Sequence, residues 1–479
     1  MRRRSMEELY CCAPEAHLLV VGGGSAAFAA TLKAVQLGAR VTLVNEGLPI
    51  GGTCVNVGCV PSKTLIRAAE AHHRAGHHPF DGIASTSRVA DFKGVMAQKQ
   101  QLVEGLRQAK YLDVVADLEE VRIIEGQAHL VDAHTVAVNG QTLQADCLLI
   151  ATGASPSIPP VPGLAESGYL TSTTALELEE LPESLLVLGG RYIALELSQM
   201  FARLGSKVAI LQRSARILPS ETKEITDALT GYLEAEGIEI VTGVDLKSVR
   251  REATGFVVTA QVDGKPATFR AGQLLAATGR RPNTAGLGLE KAGVAVDVEG
   301  AVVVDEHLQT TAAGVYAAGD VVGEPAFVYT AAYEGALAAE NALNGNTLKR
   351  DYTALPWVIF TDPQVAGVGL DEEQARAQGI EVDTVSLSLE HVPRALAARD
   401  TRGCVKLIRN RQTDRLVGAR ILAPEGSELT MELSLAIRYG IPVGELARAF
   451  HPYLTLSEAV KLAALSFEKD VAKLSCCAT

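Results

Sequence analysis

The segment VVGGGSAA, residues 20–27, decides the fold of this chain. An apolar run at residues 18–21 leads into its glycines, and residues 26–37 are predicted to form a helix. Glycines between a strand and a helix seat a dinucleotide, because the backbone approaches the pyrophosphate closely and the helix N-terminus faces it. With a further predicted strand at residues 41–44, the segment indicates a dinucleotide-binding βαβ unit.

A possible redox pair follows directly, in the segment GGTCVNVGCVPSK, residues 51–63. Its cysteines, Cys54 and Cys59, are five positions apart and precede a predicted helix at residues 62–75, so they can lie on one turn and close a small disulfide ring. A bare pair with this spacing is about as often two ordinary cysteines. Beside a dinucleotide loop, however, a dithiol indicates electron transfer, and we interpret this pair as redox-active.

A second glycine fingerprint, LLVLGGRYIALE, occupies residues 185–196 and is followed by the predicted strand at 207–211. One such motif is weak evidence, whereas two in one chain, each between a strand and a helix, are much stronger. The sequence therefore predicts two bound dinucleotides. Arg191 replaces the central glycine, and its side chain would crowd the pyrophosphate or contact it.

The residues that end the second strand of each unit bear on the identity of the nucleotides. Arg213 and Arg216 follow the strand at 207–211, and no acid stands there. Arginine at this point suits a 2′-phosphate, which favours NADPH over NADH. In the first unit Asn45 precedes Glu46; the register is uncertain by one residue, and we select Glu46 for the ribose hydroxyls.

The two units repeat one plan. LLIATG at 148–153 is echoed by LLAATG at 274–279, which indicates an internal duplication, and Asp320 ends a later strand where it could bind polyol hydroxyls. After a predicted helix at 331–344, five strands and two helices predict a separate α+β domain. The predicted divisions are a flexible arm at 1–16, a first dinucleotide domain at 17–160 and 284–348, a second at 161–283, and a last domain at 349–479.

Composition limits the class of protein. The chain has 479 residues, 47% of them apolar, and a formal charge of −12, which argues against a nucleic-acid partner. No apolar run approaches the roughly 20 residues that span a bilayer, so we expect a cytoplasmic protein. Cys11-Cys12 and Cys476-Cys477 form two further pairs. Four histidines within residues 72–78 could bind metal, but a solvated helix end is the favoured interpretation.

Together these motifs resemble the pyridine nucleotide–disulfide oxidoreductases, the flavoenzyme family of glutathione reductase and dihydrolipoamide dehydrogenase, from about residue 17 to the C-terminus. The resemblance implies FAD in the first unit, NADPH in the second, and a C-terminal domain that forms a homodimer. It makes Tyr192 the gate over the nicotinamide and Glu196 an acid near the flavin. The residues whose positions imply cofactor contacts are Gly22, Gly24, Ala27, Glu46, Gly52, Thr53, Lys63, Gly126, Ala128, Thr152, Gly153, Gly189, Arg213, Gly279, Gly319 and Asp320.

The C-terminal end distinguishes branches of this family. Aligning residues 455–458 with the family's His-Pro…Glu pattern places Tyr453 where disulfide reductases have the catalytic histidine, and His451 lies two residues early. A phenol with a pKa of about 10 transfers protons poorly at neutral pH. Turnover of a disulfide substrate should therefore suffer.

This tyrosine and the terminal Cys476-Cys477 pair match the members of the family that reduce Hg(II), as do residues 360–363, 392–396 and 452–455. Hg(II) is soft and prefers thiolates. The resemblance implies that thiol-bound Hg(II) is the substrate, that Cys54, Cys59, Cys476 and Cys477 bind it, and that Cys59 lies against the flavin with Cys54 outward. The terminal pair is expected to serve the partner subunit's dithiol. We expect a core form of these proteins, without a separate N-terminal metal-binding domain, and the role of Cys11-Cys12 stays open.

Two alternatives remain at this point. In the same class, the chain could reduce a disulfide, as dihydrolipoamide dehydrogenase does. In another class, it could sequester metal through its thiol pairs without turnover.

Overall fold

A computed structural model describes residues 16–473 of the chain. The first dinucleotide unit is built on a five-stranded parallel sheet, and the strand before the first glycine loop lies at its centre. Neighbouring strands on either side of a central strand create a crevice at their carboxyl ends, where α/β sheets bind ligands. In spatial order the strands are Val315–Ala317, Cys147–Ile150, His17–Val21, Arg40–Asn45 and Val121–Glu125.

Two helices pack on this sheet and against each other, Ser25–Gln36 and Val328–Asn344. Their approach requires glycine at Gly335, where a Cβ would lie 2.0 Å from the carbonyl oxygen of Ala26. A small antiparallel sheet adjoins the parallel one. It consists of His129–Leu130, Thr135–Val138 and Gln141–Gln144.

The second unit repeats the plan with four parallel strands, in the order Glu239–Val241, Lys207–Leu211, Ser184–Leu188 and Gln273–Ala276. Its helices are Ser172–Ala175, Tyr192–Leu204 and Lys223–Ala235. An antiparallel sheet completes it, formed by Val244–Glu252, Gly255–Val262 and Lys265–Ala271. The two-stranded pairing of Ala154–Pro156 with Arg280–Pro282 connects the two units.

The redox segment forms two helices, Gly52–Val57 and Cys59–Gly76, and we call the second the redox helix. The prediction that this helix begins at residue 62 is wrong by three residues. Pro61 lies in the first turn, where backbone N–H groups have no intrahelical acceptor and proline is tolerated. After a loop the chain continues through Phe92–Arg107, the π-helical turn Gln108–Leu112 and Asp113–Ala116.

The last domain has a five-stranded antiparallel sheet, in the region where the sequence predicts five strands. In spatial order the strands are Pro356–Ile359, Gln364–Gly369, Leu416–Ala423, Cys404–Asn410 and Val382–Ser388. Its helices are Glu372–Ala377, Pro393–Ala398, Thr430–Arg438, Val443–Arg448 and Glu458–Leu465. Short 3-10 turns lie at Asp320–Val322, Leu389–His391, Gly426–Leu429 and Val471–Lys473.

A cluster of charged side chains, with the buried Arg203 among them, joins the three parts of the chain around Asp362, in the last domain. Its carboxylate lies 3.0 Å from Arg203 of the second unit, 3.0 Å from Arg402 and 4.0 Å from Arg74 of the redox helix. Arg203 also pairs with Glu236 at 2.6 Å. Within residues 16–473, no helix has both the length and the apolar character needed to cross a membrane.

Candidate functional site

The redox segment is attached directly to the first glycine loop. The backbone N–H of Gly51 donates to the carbonyl of Gly23 at 2.8 Å. Gly52 has φ +61°, and a Cβ there would lie 2.6 Å from the Cα of Gly24. Only glycine permits this approach, so the two cysteines are fixed relative to the dinucleotide loop.

The loop itself has the shape of a diphosphate cradle. Gly22 has φ +128°, and a Cβ there would lie 2.2 Å from the carbonyl oxygen of Ala151. At Gly24 a Cβ would meet only Gly52 within 4 Å. The helix that begins at Ser25 has no side-chain cap and no acid in its first turn. Its free N–H groups can therefore bind an anion, and these residues fit a dinucleotide such as FAD.

The structure distinguishes Asn45 from Glu46. Asn45 is buried and donates to the carbonyl of Leu48 at 3.0 Å and to Glu125 at 3.2 Å. A Cβ at Gly23 would meet its side-chain oxygen at 2.3 Å. Glu46 follows the strand and is exposed. The amide of Asn45 is thus engaged within the protein, whereas the exposed Glu46 stays the candidate for the ribose hydroxyls.

Several further predicted cofactor residues belong to the first dinucleotide unit. Ala27 and Ala128 are buried, and Thr53 is half-buried. Gly126 has φ +153° and packs on Asn139, since a Cβ would lie 2.4 Å from that amide oxygen. Gly153 has φ +69° and has open space beside it.

Other residues of this unit have partners that the sequence did not indicate. The hydroxyl of Thr152 donates to the carbonyl of Asn283 at 2.7 Å. The backbone N–H of Gly319 donates to the buried Glu334 at 2.7 Å. Burial raises the pKa of Asp320, although Arg280 lies 3.9 Å away. No local motif marked Glu334 or Arg280, because each meets its partner only through the fold.

Cys54 and Cys59 are both half-buried free thiols, with their side chains hydrogen-bonded to each other. This hydrogen bond lowers the pKa of Cys59 to about 7, and the cation of Lys63 acts in the same direction against burial. Cys59 is also the first residue of the redox helix, whose dipole favours a thiolate. The same hydrogen bond, followed by burial, raises the pKa of Cys54. Cys59 is therefore the thiol that ionises near neutral pH, while Cys54 keeps its proton.

Lys63 and Glu196 form an ion pair beside this dithiol. The Lys63 ammonium donates to Glu196 at 2.6 Å and lies 4.7 Å from the ring centre of Phe360. The second oxygen of Glu196 accepts from the Phe360 backbone N–H at 2.9 Å. Glu196 is only 7% exposed. The two residues were predicted separately, and the fold brings them together from two different units.

The backbone of the second glycine loop shows why Arg191 can replace the central glycine of the motif. Gly189 has φ +112°, and a Cβ there would lie 2.4 Å from the carbonyl of Ala277. Arg191 has φ −106° and is exposed, so its backbone conformation does not require glycine. The helix that it precedes has no acid in its first turn and no side-chain cap. This loop also fits a dinucleotide.

After the strand Lys207–Leu211 of the second unit, Arg213 is exposed, whereas Arg216 donates to the carbonyl of Pro219 at 3.0 Å. Gly279 has φ +126° with open space beside it. Tyr192, the first residue of its helix, is stacked parallel to Trp357 with ring centres 6.3 Å apart. The sequence did not indicate Trp357 as a functional residue.

At the C-terminal end, Tyr453 is 53% exposed. His451 bonds to Glu432 at 2.7 Å, so its imidazole is engaged with a neighbouring helix, and the backbone N–H of Leu454 donates to Glu458 at 3.3 Å. Cys11, Cys12, Cys476 and Cys477 lie outside the described residues.

The histidines of residues 72–78 belong to the end of the redox helix and the loop after it. His72 bonds to Ser87 at 2.6 Å, and the rings of His73 and His77 stack with centres 4.4 Å apart. Among residues 16–473 there is no group of three or more His, Cys, Asp or Glu side chains that could hold a metal ion. At this site, the thiols of Cys54 and Cys59 are the side chains suited to bind a soft metal ion.

Comparison with known families identifies the architecture. A family model described as pyridine nucleotide-disulphide oxidoreductase matches residues 16–335, and the model of its dimerisation domain matches residues 355–464. The chain belongs to this family. Membership confirms the predicted fold class and implies FAD and a nicotinamide nucleotide as cofactors of this oxidoreductase. The matched dimerisation domain supports a homodimer.

Within the family, similar curated proteins include mercuric reductases. That of Streptomyces lividans is 48% identical, over 96% of this chain and 98% of its own length. That of Staphylococcus aureus is 45% identical, over 96% of this chain and 84% of its own length. These similarities confirm the resemblance to the mercury-reducing branch.

Solved protein structures also resemble this chain over nearly its whole length. The Cu(II) complex of the HOCl-induced flavoprotein disulfide reductase RclA from Escherichia coli has a TM-score of 0.84 and 32% identity, over 95% of this chain and 100% of that one. LpdA from Mycobacterium tuberculosis has a TM-score of 0.82 and 29% identity, over 95% and 100% of the two chains.

Proposed function

We propose that this protein reduces thiol-bound Hg(II) to Hg(0) at the Cys54–Cys59 dithiol, with NADPH as reductant. The main support for this proposal is the set of side chains that the site contains. A thiolate and a thiol adjoin a dinucleotide cradle, and Tyr453 stands where the resemblance places a histidine in disulfide reductases. The mercuric reductases among the relatives support the same substrate.

The cofactors fit the two glycine loops. Gly22, Gly24, Glu46 and Asp320 would hold FAD, and Arg213 would contact NADPH beside the second loop. When bound, these cofactors carry two electrons from NADPH to the metal ion. The balanced reaction consumes one NADPH and one Hg(II), and yields Hg(0), NADP⁺ and one proton.

The dithiol binds the ion in two steps. Cys59, ionised near neutral pH, forms the first S–Hg bond as an external thiolate leaves. Cys54 keeps its proton until the metal arrives, then transfers it to the second external thiolate, which leaves as a thiol while the second S–Hg bond forms. Lys63 remains beside the thiolate. Release of Hg(0) requires no proton, so a phenol at Tyr453 is compatible with turnover.

NADPH preference rests on Arg213. Its guanidinium is exposed at the strand end that meets the ribose in such units. Arg213→Glu should raise the KM for NADPH much more than the KM for NADH. Arg216→Glu is the matched control, because Arg216 is engaged with Pro219. Equal effects of the two substitutions on the NADPH KM would count against Arg213.

Cys476 and Cys477 are proposed to deliver Hg(II) to the dithiol of the partner subunit. Adjacent thiols can displace external thiol ligands one at a time. The test combines subunits carrying Cys54→Ala and Cys59→Ala with subunits carrying Cys476→Ala and Cys477→Ala, each inactive alone at high external thiol. The hybrid dimer contains one intact composite site and should reduce Hg(II). An inactive hybrid would rule out transfer between subunits.

The direct test of the function is NADPH oxidation with Hg(II) and excess thiol, with volatile mercury collected. Disulfides and Cu(II) should be assayed in parallel, because the similar protein RclA is named as a disulfide reductase and was solved with Cu(II). A disulfide rate above the Hg(II) rate would make this chain a disulfide reductase. No Hg(II)-dependent oxidation by the flavin-loaded protein would favour metal sequestration.

A further inference from the structure

The nicotinamide-gate candidate Tyr192 is in contact with the single tryptophan of the chain. The rings of Tyr192 and Trp357 lie 3° from parallel, with centres 6.3 Å apart. This separation is within the range for offset aromatic pairs. Tyr192 belongs to the second dinucleotide unit, whereas Trp357 belongs to the first strand of the last domain. The contact therefore couples a nucleotide-site residue to a different domain.

The indole is fixed on its strand by Gly367, its partner across the sheet. A Cβ at Gly367 would lie 2.6 Å from Cζ2 of Trp357 and 3.0 Å from Cδ of Arg420. Because Gly367 has no side chain, the indole of Trp357 and the side chain of Arg420 can lie over the strand Gln364–Gly369. The Arg420 guanidinium lies 5.7 Å from the indole centre, within reach of a cation–π contact.

Arg420 in turn is held rigidly. It is 2% exposed and donates to the carbonyls of Ala419 at 2.9 Å and Val368 at 3.3 Å. It also forms an ion pair with Glu221 of the second unit, at 3.2 Å. Glu221 is likewise buried, 7% exposed. Trp357 is half-buried and rests against these buried, ion-paired side chains, so we take Tyr192 as the ring that moves when the pair separates.

We propose that Trp357 is a positioning residue that keeps Tyr192 in its stacked position, so that nucleotide binding must separate the two rings. The inference rests on the proposed role of Tyr192 as the nicotinamide gate. Because the stack competes with the nucleotide, its loss should tighten nucleotide binding by about 2- to 13-fold, the range that corresponds to one aromatic pair.

The test uses the oxidised, FAD-loaded protein and NADP⁺, which binds without reducing it. Trp357 is the single tryptophan, so its emission reports on the ring beside it. NADP⁺ should change this emission in the wild type and in Tyr192→Phe, which keeps a ring. It should leave the emission of Tyr192→Leu unchanged. An identical response in all three proteins would overturn the proposal.

Binding constants for NADP⁺, measured by calorimetry, supply the second readout. Tyr192→Leu and Trp357→Leu should each lower the Kd by about 2- to 13-fold, and the double substitution should lower it no further, because both remove the same contact. Trp357→Phe should restore a value near that of the wild type. If Trp357→Leu fails to retain flavin, the emission comparison decides alone.

The outcomes separate this inference from the proposed function. Tighter binding in Tyr192→Leu but not in Trp357→Leu would overturn the positioning role and leave the gate intact. Unchanged binding in both would show that Tyr192 is not a gate and would overturn the inference with it. Hg(II)-dependent NADPH oxidation by the wild type is measured separately, and its absence would refute the proposed activity itself.

Discussion

The hydrogen bond between the two redox thiols should control the ionisation of Cys59. A thiol with a pKa of about 7 is half ionised at pH 7, whereas the ordinary value of 9.0 leaves about one molecule in a hundred ionised. The site thus raises the thiolate fraction at pH 7 by up to about 50-fold. Cys54→Ala removes the hydrogen bond, which is the largest cause of the lowered pKa. Cys54→Ser keeps a donor at the same position and is the matched control.

Each variant contains one redox cysteine, so its titration is free of coupling to a second thiol. The assay measures the rate of Cys59 alkylation by iodoacetamide across pH, with the Cys59 peptide quantified by mass spectrometry. In Cys54→Ser the rate should fall as pH drops through about 7, because the thiolate is then protonated. In Cys54→Ala the same fall should occur at higher pH, and the rate at pH 7 should be lower, within the 50-fold limit.

Lys63→Gln in the Cys54→Ser background should also move the profile to higher pH. The substitution removes a cation that favours the thiolate and leaves the charge of Glu196, which opposes it. Superimposable profiles for Cys54→Ala and Cys54→Ser would refute the reasoning, since the hydrogen bond would then have no influence on Cys59.

Three further predictions follow from the packing and from the family alignment. Gly52→Ala should lower bound flavin and destabilise the fold by more than about 1 kcal/mol, because its Cβ would lie 2.6 Å from Gly24; flavin absorbance per chain and thermal unfolding measure both effects. Arg203→Met should cost about 3 kcal/mol of unfolding free energy by breaking a buried ion pair, while Lys93→Met, at an exposed pair, should change it by less than about 1 kcal/mol; equal losses would contradict this. Tyr453→His should slow Hg(II) turnover and raise disulfide turnover, because an imidazole with a pKa of about 6.5 protonates a leaving thiolate; unchanged rates for both substrates would exclude a role for this position.

The sequence predicted those features that depend on neighbours along the chain. Both glycine loops lie between a strand and a helix, and the last domain contains the five strands that the sequence predicts. The fold class and the family are confirmed. The roles of the predicted site residues stay predictions, although the structure brings Cys54, Cys59, Lys63 and Glu196 together.

The sequence could not predict the contacts that arise between distant segments. Lys63 and Glu196 are 133 positions apart, and no periodicity relates them. Trp357 appeared only as one apolar residue of a predicted strand, because its ring partner lies in another domain. The start of the redox helix was misplaced because helix propensity says little about a first turn that contains proline.

The charge cluster at Asp362 has a consequence for heat tolerance. Removing water from charged groups becomes less costly as temperature rises, whereas apolar burial gains little more. The partly buried ion pairs that join Arg203, Glu236, Arg402 and Asp362 therefore contribute relatively more on heating. They link the second dinucleotide unit to the last domain, and Arg74 brings the redox helix to the same point. On heating, these ion pairs increasingly reinforce the apolar core that joins the same three parts.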